Sequence, residues 1–155
     1  MSYTILYIED ESAIIELVEL VVKHPEIILV AAFSAAQGLK IIRETKPDLI
    51  MLGVMIPDRS GWSVYAEVRA DDVLASMPII MLTGQMHRYR VKKEFEKSKI
   101  DAYITKPFDV SAIRDEIEKM LKYSFWSKPT ITYSKSSSHN LKSSKRRSRN
   151  EHKNK

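Results

Sequence analysis

The sequence predicts an α/β fold in which one parallel sheet of five strands carries helices on both faces, a doubly wound arrangement. Three observations lead to this prediction. Five short apolar segments recur along the first 122 residues, amphipathic stretches separate them, and the apolar segments run almost without polar interruption. Parallel strands that are covered on both faces have this continuous apolar character. Strand–helix alternation with right-handed crossovers then gives a single open sheet.

The predicted strands are bounded by polar or loop-forming residues at both ends. They are YTILYI (3–8), IILVAAF (27–33), LIMLGVMI (49–56), IIML (79–82) and AYI (102–104).

Helical spacing appears between the strands. In the first helix, one apolar face is formed at i, i+3, i+4 and i+7 by Ile14, Leu17, Val18 and Val21. Ser34 with Gln37 forms a capping box for the second helix. The segment 87–99 is the most polar predicted helix, and only Val91 and Phe95 face inward.

The last helix is predicted to begin after Asp109, which is a good N-cap residue. Its core stripe is Ile113, Ile117 and Met120.

Charge divides the chain into two parts, residues 1–122 and residues 123–155. The second part has nine Lys and Arg residues against one Asp or Glu, a formal charge of +8, whereas the first part carries −3. Residues 123–155 are also rich in serine and lack apolar periodicity, so they are predicted to be a disordered tail after a domain of residues 1–122.

Cysteine is absent, which excludes a disulfide framework and thiolate metal sites. No apolar run approaches the roughly 18 residues of a membrane span, and the N-terminus has no basic leader. A cytoplasmic location is the expectation.

Topology locates the candidate site. In the flavodoxin-like strand order 2-1-3-4-5, ligands collect where the carboxyl ends of strands 1 and 3 meet. The residues there are Glu9, Asp10, Glu11 and Gly53. Neighbouring carboxylates suit Mg²⁺, which takes one or two protein carboxylates and keeps waters. The alternative is an acidic loop in which Glu11 opens the first helix, favoured by the helix dipole.

Two further side chains are predicted to reach the same edge. Thr83 ends strand 4 and Lys106 follows strand 5. A lysine beside carboxylates can bind phosphate as a point charge. Taken singly, Thr83 also fits a turn and Lys106 a solvated charge ahead of a proline.

These motifs together resemble the receiver domain of two-component response regulators over residues 2–122. The matching segments are IEDE, DLIMLGVMIPDRSGW, PIIMLTG and AYITKPF. The resemblance implies that Glu9 and Asp10 bind the metal, Thr83 contacts a phosphoryl group and Lys106 binds phosphate. It also implies that Tyr103 is the switch aromatic.

The resemblance places an aspartate, both phosphoacceptor and metal ligand, where this chain has Gly53. Glycine has neither a nucleophile nor a ligand, so no catalytic residue is expected and phosphotransfer should fail. Asp48 lies at the other end of strand 3, about 16 Å away. Asp58 would have to fold back from the following loop. No cofactor is expected to be required, and any Mg²⁺ binding by Glu9 and Asp10 should be weak.

The function expected is therefore a non-enzymatic, phosphorylation-independent protein-interaction adaptor in a phosphorelay pathway. Its partner would be a histidine kinase or a downstream signalling protein. The family's partner-binding face is built from the fourth helix, fifth strand and fifth helix. In this chain that face contains Arg88, Arg90, Lys92, Lys93, Tyr103 and Arg114. The plainer interpretation of these charges is a solvated surface.

Two alternatives come from other classes. The basic tail has the charge needed to bind nucleic acid or an anionic surface by releasing counterions, although a merely solubilising tail is the simpler interpretation. A phosphatase of the haloacid-dehalogenase type needs an aspartate two residues after its nucleophile. Ser12 follows Asp10 at that distance, so the motif fails.

Overall fold

The structure, a computed structural model, describes residues 1–83, 102–105 and 107–126. In these residues five parallel strands form one sheet in the order β2-β1-β3-β4-β5, which confirms the predicted fold class. The strands are β1 (Tyr3–Ile8), β2 (Ile27–Ala32), β3 (Leu49–Gly53), β4 (Ile79–Thr83) and β5 (Ala102–Thr105). The helices are α1 (Ser12–Val22), α2 (Ala35–Thr45), α3 (Gly61–Ala70) and α4 (Val110–Leu121). The helix predicted at 87–99 lies outside the described residues.

The sheet separates two apolar cores. Because side chains alternate along a strand, Leu6 and Ile8 of β1 face α2 and α3, whereas Ile5 and Tyr7 face α1 and α4. All four side chains are completely buried. No helix in the described part of the chain combines the length and apolar character needed to cross a bilayer.

The buried face of α1 differs from the predicted one. The helix buries Ile15, Val18, Val21 and Val22, while Leu17 is 46% exposed. The first helix is apolar over so much of its surface that two overlapping stripes satisfy the same helical period. The position of the helix on the sheet, which spacing alone does not fix, decides between them.

Two predicted strands end earlier than expected. β2 stops at Ala32, since the N–H of Phe33 turns to donate to Oε1 of Gln37 at 2.9 Å. As predicted, Ser34 Oγ accepts from the N–H of Gln37 at 3.1 Å. In a complete capping box the Gln37 side chain would accept from the N–H of Ser34, but here it accepts from the N–H of Phe33. β3 stops at Gly53, because the carbonyl of Val54 leaves the ladder and accepts from the N–H of Gly61 at 2.8 Å.

The loop after β3 is tied to the start of α2 by Asp58. Its Oδ1 accepts from the N–H of Ala35 and its Oδ2 from the N–H of Ala36, each at 2.9 Å. These are the first two residues of α2, whose N–H groups have no partner within the helix. Together with the Ser34 cap, Asp58 satisfies the N-terminal donors of α2. The bonds lower the pKa of the Asp58 carboxyl, with the Ala35 bond the largest cause.

A second link joins the same loop to both helices on this face. The Glu67 carboxylate of α3 pairs with Arg43 of α2 and, at 2.8 Å, with Nη1 of Arg59 in the loop. Nε of Arg59 also donates to Ser63 Oγ at 2.8 Å. The hydrogen bonds from Arg59 and then Arg43 lower the pKa of Glu67. The loop beside the candidate site is thereby held by several side chains.

Residues 123–126, assigned to the tail from sequence, pack against the domain, so the predicted boundary at 122 is too early. Lys122 adopts a left-handed conformation (φ 52°) that ends α4 and turns the chain back. The Tyr123 hydroxyl then donates to Glu26 Oε2 at 2.9 Å, and Phe125 packs edge-on against Tyr3. We call Tyr123, Phe125 and Trp126 the C-terminal clasp. Residues 127–155 lie outside the described residues.

Asp58→Asn is expected to destabilise the protein at neutral pH, because an amide offers only one acceptor oxygen to the two N–H groups. The folded-state pKa of Asp58 lies below its ordinary value of 3.8. The stabilisation is therefore fully present above pH 3.8 and is lost as pH falls through the lower folded-state pKa. Urea unfolding of both proteins between pH 7 and pH 2 measures this, and their difference should shrink toward the acid end.

Glu44→Gln is the matched control, since it removes one negative charge from the exposed surface of the same helix. Its free energy of unfolding should change by no more than about 0.5 kcal/mol at any of these pH values. A difference between Asp58→Asn and the parent protein that stays constant with pH would contradict the capping role.

Candidate functional site

The candidate site lies where β1 and β3 end side by side. These strands pair from Ile5 with Leu49 to Ile8 with Leu52. Continuing that register places Glu9 level with Gly53. The N–H of Glu9 donates to the carbonyl of Ala32 at 2.9 Å, which fixes the backbone at the sheet edge. The structure therefore brings together the two strand ends that topology selected.

The carboxylate of Glu9 is buried, with only 2% of the residue exposed. Its Oε1 accepts from the N–H groups of Asp10 at 3.1 Å and Glu11 at 3.3 Å, just ahead of α1. Glu11 is the N-cap residue of that helix, but its own side chain makes no capping bond. Partial positive charge at a helix N-terminus favours an anion there. Glu9 thus turns inward toward the start of α1.

Tyr7 supplies a third donor to this carboxylate. Its hydroxyl donates to Oε2 of Glu9 at 3.3 Å from within the sheet. Burial, followed by the charge of Glu9, raises the pKa of Tyr7 well above its ordinary value, so the hydroxyl keeps its proton. Tyr7 was not among the site residues predicted from the sequence. The sequence did contain a sign of its role, because Tyr7 carries a hydroxyl in a strand that was predicted to be covered on both faces. A buried polar group of this kind requires a hydrogen-bond partner.

Gly53 is enclosed from two sides. A Cβ added to it would lie 3.1 Å from Oε2 of Glu9 and 3.2 Å from the carbonyl oxygen of Ile8. A Cβ added to Gly61 would overlap the Gly53 carbonyl oxygen, so the start of α3 rests directly on the end of β3. Any side chain at position 53 therefore requires Glu9 to shift by a few tenths of an ångström.

The donor set for Mg²⁺ is incomplete in the described residues. Asp10 is exposed, while the Glu9 oxygens accept protein N–H and O–H bonds, and Gly53 has no side chain to coordinate a metal. Within the described ranges, no group of three or more His, Cys, Asp or Glu side chains is arranged to hold a metal ion. The weak Mg²⁺ binding expected of Glu9 and Asp10 stays a prediction.

The two other aspartates considered as substitutes lie elsewhere. Oδ2 of Asp48 accepts from the N–H of Thr4 at 2.7 Å, which places this carboxylate at the amino edge of the sheet. Asp58 is engaged with the N-terminus of α2. In the part of the chain that the structure describes, Glu9 is the acidic side chain in contact with the position of Gly53.

Several predicted site residues fall outside the described residues. These are Lys106, Arg88, Arg90, Lys92 and Lys93, together with the side chain of Thr83, whose backbone pairs with Thr105 at the end of β4.

Two residues of the predicted interaction face are described. Tyr103 is partly buried and packs against the core that contains α2 and α3. Arg114 lies on the other side of the sheet, where Nε donates to the Val21 carbonyl at 2.8 Å and the guanidinium covers the Trp126 ring. Arg114 therefore joins α4, α1 and the C-terminal clasp, and its part in partner binding stays a prediction.

Comparison with known proteins gives the family. The family model described as the response regulator receiver domain matches residues 5–118. The DNA-binding dual master transcriptional regulator RpaA of Synechocystis sp. is 32% identical over 118 residues, 76% of this chain and 48% of that protein. The phosphate regulon transcriptional regulatory protein PhoB of Pseudomonas aeruginosa is 30% identical over 119 residues, 77% of this chain and 52% of that protein. The chain spans about half the length of these relatives.

Solved structures agree with this match. The bacteriophytochrome response regulator RtBRR aligns with a TM-score of 0.65 and 27% identity, covering 84% of this chain and 83% of that chain. A CheY-like receiver domain protein from Methanospirillum hungatei aligns with a TM-score of 0.70, covering 79% of this chain and 95% of that chain. Its identity of 22% shows the fold alone. With a sheet of this strand order and a family match over residues 5–118, this chain belongs to the response regulator receiver domains of two-component signalling systems.

Proposed function

We propose that this chain is a pseudo-receiver, a receiver domain that signals through protein contacts without being phosphorylated. The observation that carries the proposal is the pairing of Gly53 with Glu9. Position 53 has no carboxylate, and the carboxylate beside it is buried and hydrogen-bonded to the start of α1. An incoming phosphodonor needs an exposed nucleophile aligned with the phosphorus atom. Glu9, at 2% exposure, does not provide one.

If no phosphoryl group is added, the charge of the site stays constant, and a constant charge supports a role as an adaptor. In this proposal the domain holds one conformation, and a histidine kinase or downstream protein binds it through β5 and the helices beside it. Tyr103 and Arg114 are the described residues of that surface, and Tyr103 is partly buried against the core. The predicted contacts at Arg88, Arg90, Lys92 and Lys93 complete the surface with positive charge, which would favour an acidic partner.

Incubation with a small-molecule phosphodonor and Mg²⁺ should leave the intact mass of the protein unchanged. Gly53→Asp is the matched positive control, because it adds the missing carboxylate, and it should gain one acid-stable, base-labile phosphoryl group. In the same samples the amide signal of Tyr103 should shift only in Gly53→Asp. A labile phosphoryl group on the parent protein would overturn the proposal.

The affinity for Mg²⁺ tests independently whether the missing carboxylate at position 53 weakens the metal site. Loss of even an outer-shell partner typically weakens a metal site about tenfold, so a missing direct ligand should cost at least that much. Calorimetric titration should therefore show at least tenfold tighter Mg²⁺ binding by Gly53→Asp than by the parent protein. Equal affinities would mean that position 53 does not contribute to the metal site.

Nucleic-acid binding through the tail is a second candidate, favoured by the charge division of the chain. Residues 123–155 carry nine Lys and Arg residues against one acidic residue, a formal charge of +8. RpaA is named as DNA-binding, although this chain covers only 48% of it. The tail would bind backbone phosphates without reading sequence.

This candidate predicts duplex DNA binding that weakens steeply with salt. Replacing Lys145, Arg146 and Arg147 by Gln should reduce the slope of log K against log salt, by about one for each phosphate contact removed. Replacement of Lys40, on the exposed surface of α2, by Gln is the control and should leave the slope unchanged. Binding that is independent of salt, or unaffected by the triple change, would exclude this role.

A further inference from the structure

A groove runs along the outer side of the domain between α1 and β2. Its volume is about 530 Å³. Leu20 of α1 and Ile27 and Leu29 of β2 give it an apolar lining. Leu20 is 70% exposed, and Leu17, which lies nearly one turn earlier on the helix, is 46% exposed. Contiguous apolar groups on a protein surface mark a site of interaction.

The strand that borders this groove, β2, is an open edge of the sheet. Among the described residues it pairs with β1 alone. The carbonyl oxygen of Ala32 faces β1, where it accepts from the N–H of Glu9. Because backbone groups alternate in direction along a strand, Ile27, Leu29 and Ala31 point their N–H and C=O groups away from β1.

This edge lacks the features that usually keep two proteins from pairing edge to edge. Those features are a charged side chain, a proline or a bulge in the edge strand. The sequence of β2 is IILVAA, six apolar residues, and its register with β1 is unbroken from Ile27 to Ala32. Such an edge is a template for a further strand.

A second copy of β2 fits this edge when it runs antiparallel about a two-fold axis at Leu29. Leu29 and the partner's Leu29 then exchange both of their backbone hydrogen bonds, and the N–H of Ala31 donates to the carbonyl of the partner's Ile27. The N–H of Ile27 is not needed, since it already donates to the carbonyl of His24 at 3.0 Å. The backbone of the edge is therefore complementary to itself.

The same axis places opposite charges of α1 across from each other. Because the axis is perpendicular to the sheet, both α1 helices lie on one face, antiparallel and about 10 Å apart, the spacing of packed helices. Leu20 lines the same groove as Leu29, so it also lies near the axis. Glu16 precedes Leu20 by four residues and Lys23 follows it by three, so Glu16 lies opposite the partner's Lys23.

The other polar groups of the groove are compatible with this pairing. Glu16, Glu19 and Lys23 are all exposed, and in the described part of the chain none of them forms an ion pair. Glu19 lies one turn before Lys23 on the same side of the helix and shares its positive charge. The ring of His24 packs against Phe125 of the C-terminal clasp, 5.3 Å away. In this contact the apolar groups supply affinity and the charges fix the register.

We propose that β2 and α1 form the interface of a symmetric dimer of this chain. The two sheets join through β2 into one continuous sheet, and Leu20 of each copy enters the groove of the other. Glu16 pairs with the partner's Lys23 at both ends of the contact. Since β2 and β5 are opposite edges of the sheet, the dimer leaves the β5 edge of each copy uncovered.

Sedimentation equilibrium on the full chain tests the interface. The parent protein should dimerise, and Leu20→Asp should raise the dissociation constant at least about tenfold, because each dimer loses two buried leucines. Val73→Asp is the matched control, since Val73 is 69% exposed and lies after α3, away from β2, so its dissociation constant should match that of the parent. A parent protein that is monomeric up to about 1 mM, or a Leu20→Asp variant that dimerises as the parent does, would overturn the proposal.

Exchange of the two charges tests the register. Glu16→Lys and Lys23→Glu should each weaken the dimer, because each variant places like charges opposite one another. The double variant restores opposite charges at both ends, so its dissociation constant should return to within about threefold of the parent value. A double variant that dimerises no better than the weaker single variant would contradict this pairing.

Amide hydrogen exchange distinguishes a second copy from another segment of the same chain at the edge. The Leu29 and Ala31 amides should become protected as the protein concentration rises through the dissociation constant. The amide of Val30, which faces β1, is the internal reference and should change little. Protection of Leu29 and Ala31 that is independent of concentration would overturn the dimer, since the edge would then be covered within one copy.

Discussion

The buried carboxylate of Glu9 is the constraint on which the site depends. It lies at the junction of β1, β3 and α1, and it accepts hydrogen bonds from two backbone N–H groups and a tyrosine hydroxyl. Burying a charge is costly unless it is paired or hydrogen-bonded, so these donors hold it in one orientation. That orientation directs the carboxylate against the backbone of Gly53. The absence of a side chain at position 53 and the inward position of Glu9 are thus two aspects of one arrangement.

The fold was accessible from sequence because its signals are local and repeated. Continuous apolar strands gave the parallel sheet, and the caps Ser34 and Asp109 act within three residues of their own position. The correct placement of Asp48 at the far edge of the sheet followed from strand length alone. Such features need no knowledge of how distant segments meet.

Two of the features that sequence did not reveal join segments far apart in the chain. Asp58 bonds to residues 22 and 23 positions earlier, and Tyr123 bonds to Glu26 across 97 positions. Neither contact leaves a periodic pattern. The choice of buried stripe in α1 failed for a related reason, since Leu17 and Ile15 are equally apolar and only the sheet beneath them distinguishes the two. The direction of Glu9, by contrast, depends on local contacts, with the Tyr7 hydroxyl and with the backbone turn into α1.

The two tryptophans of this chain divide between the two faces of the sheet. Trp62 packs against Tyr65 on the side of α2 and α3, with ring centroids 5.8 Å apart. Trp126 lies beneath the Arg114 guanidinium on the side of α1 and α4, at 5.1 Å. A variant that keeps only one tryptophan would therefore have fluorescence that reports on one face of the sheet. Two such variants would let an optical experiment follow the two faces separately.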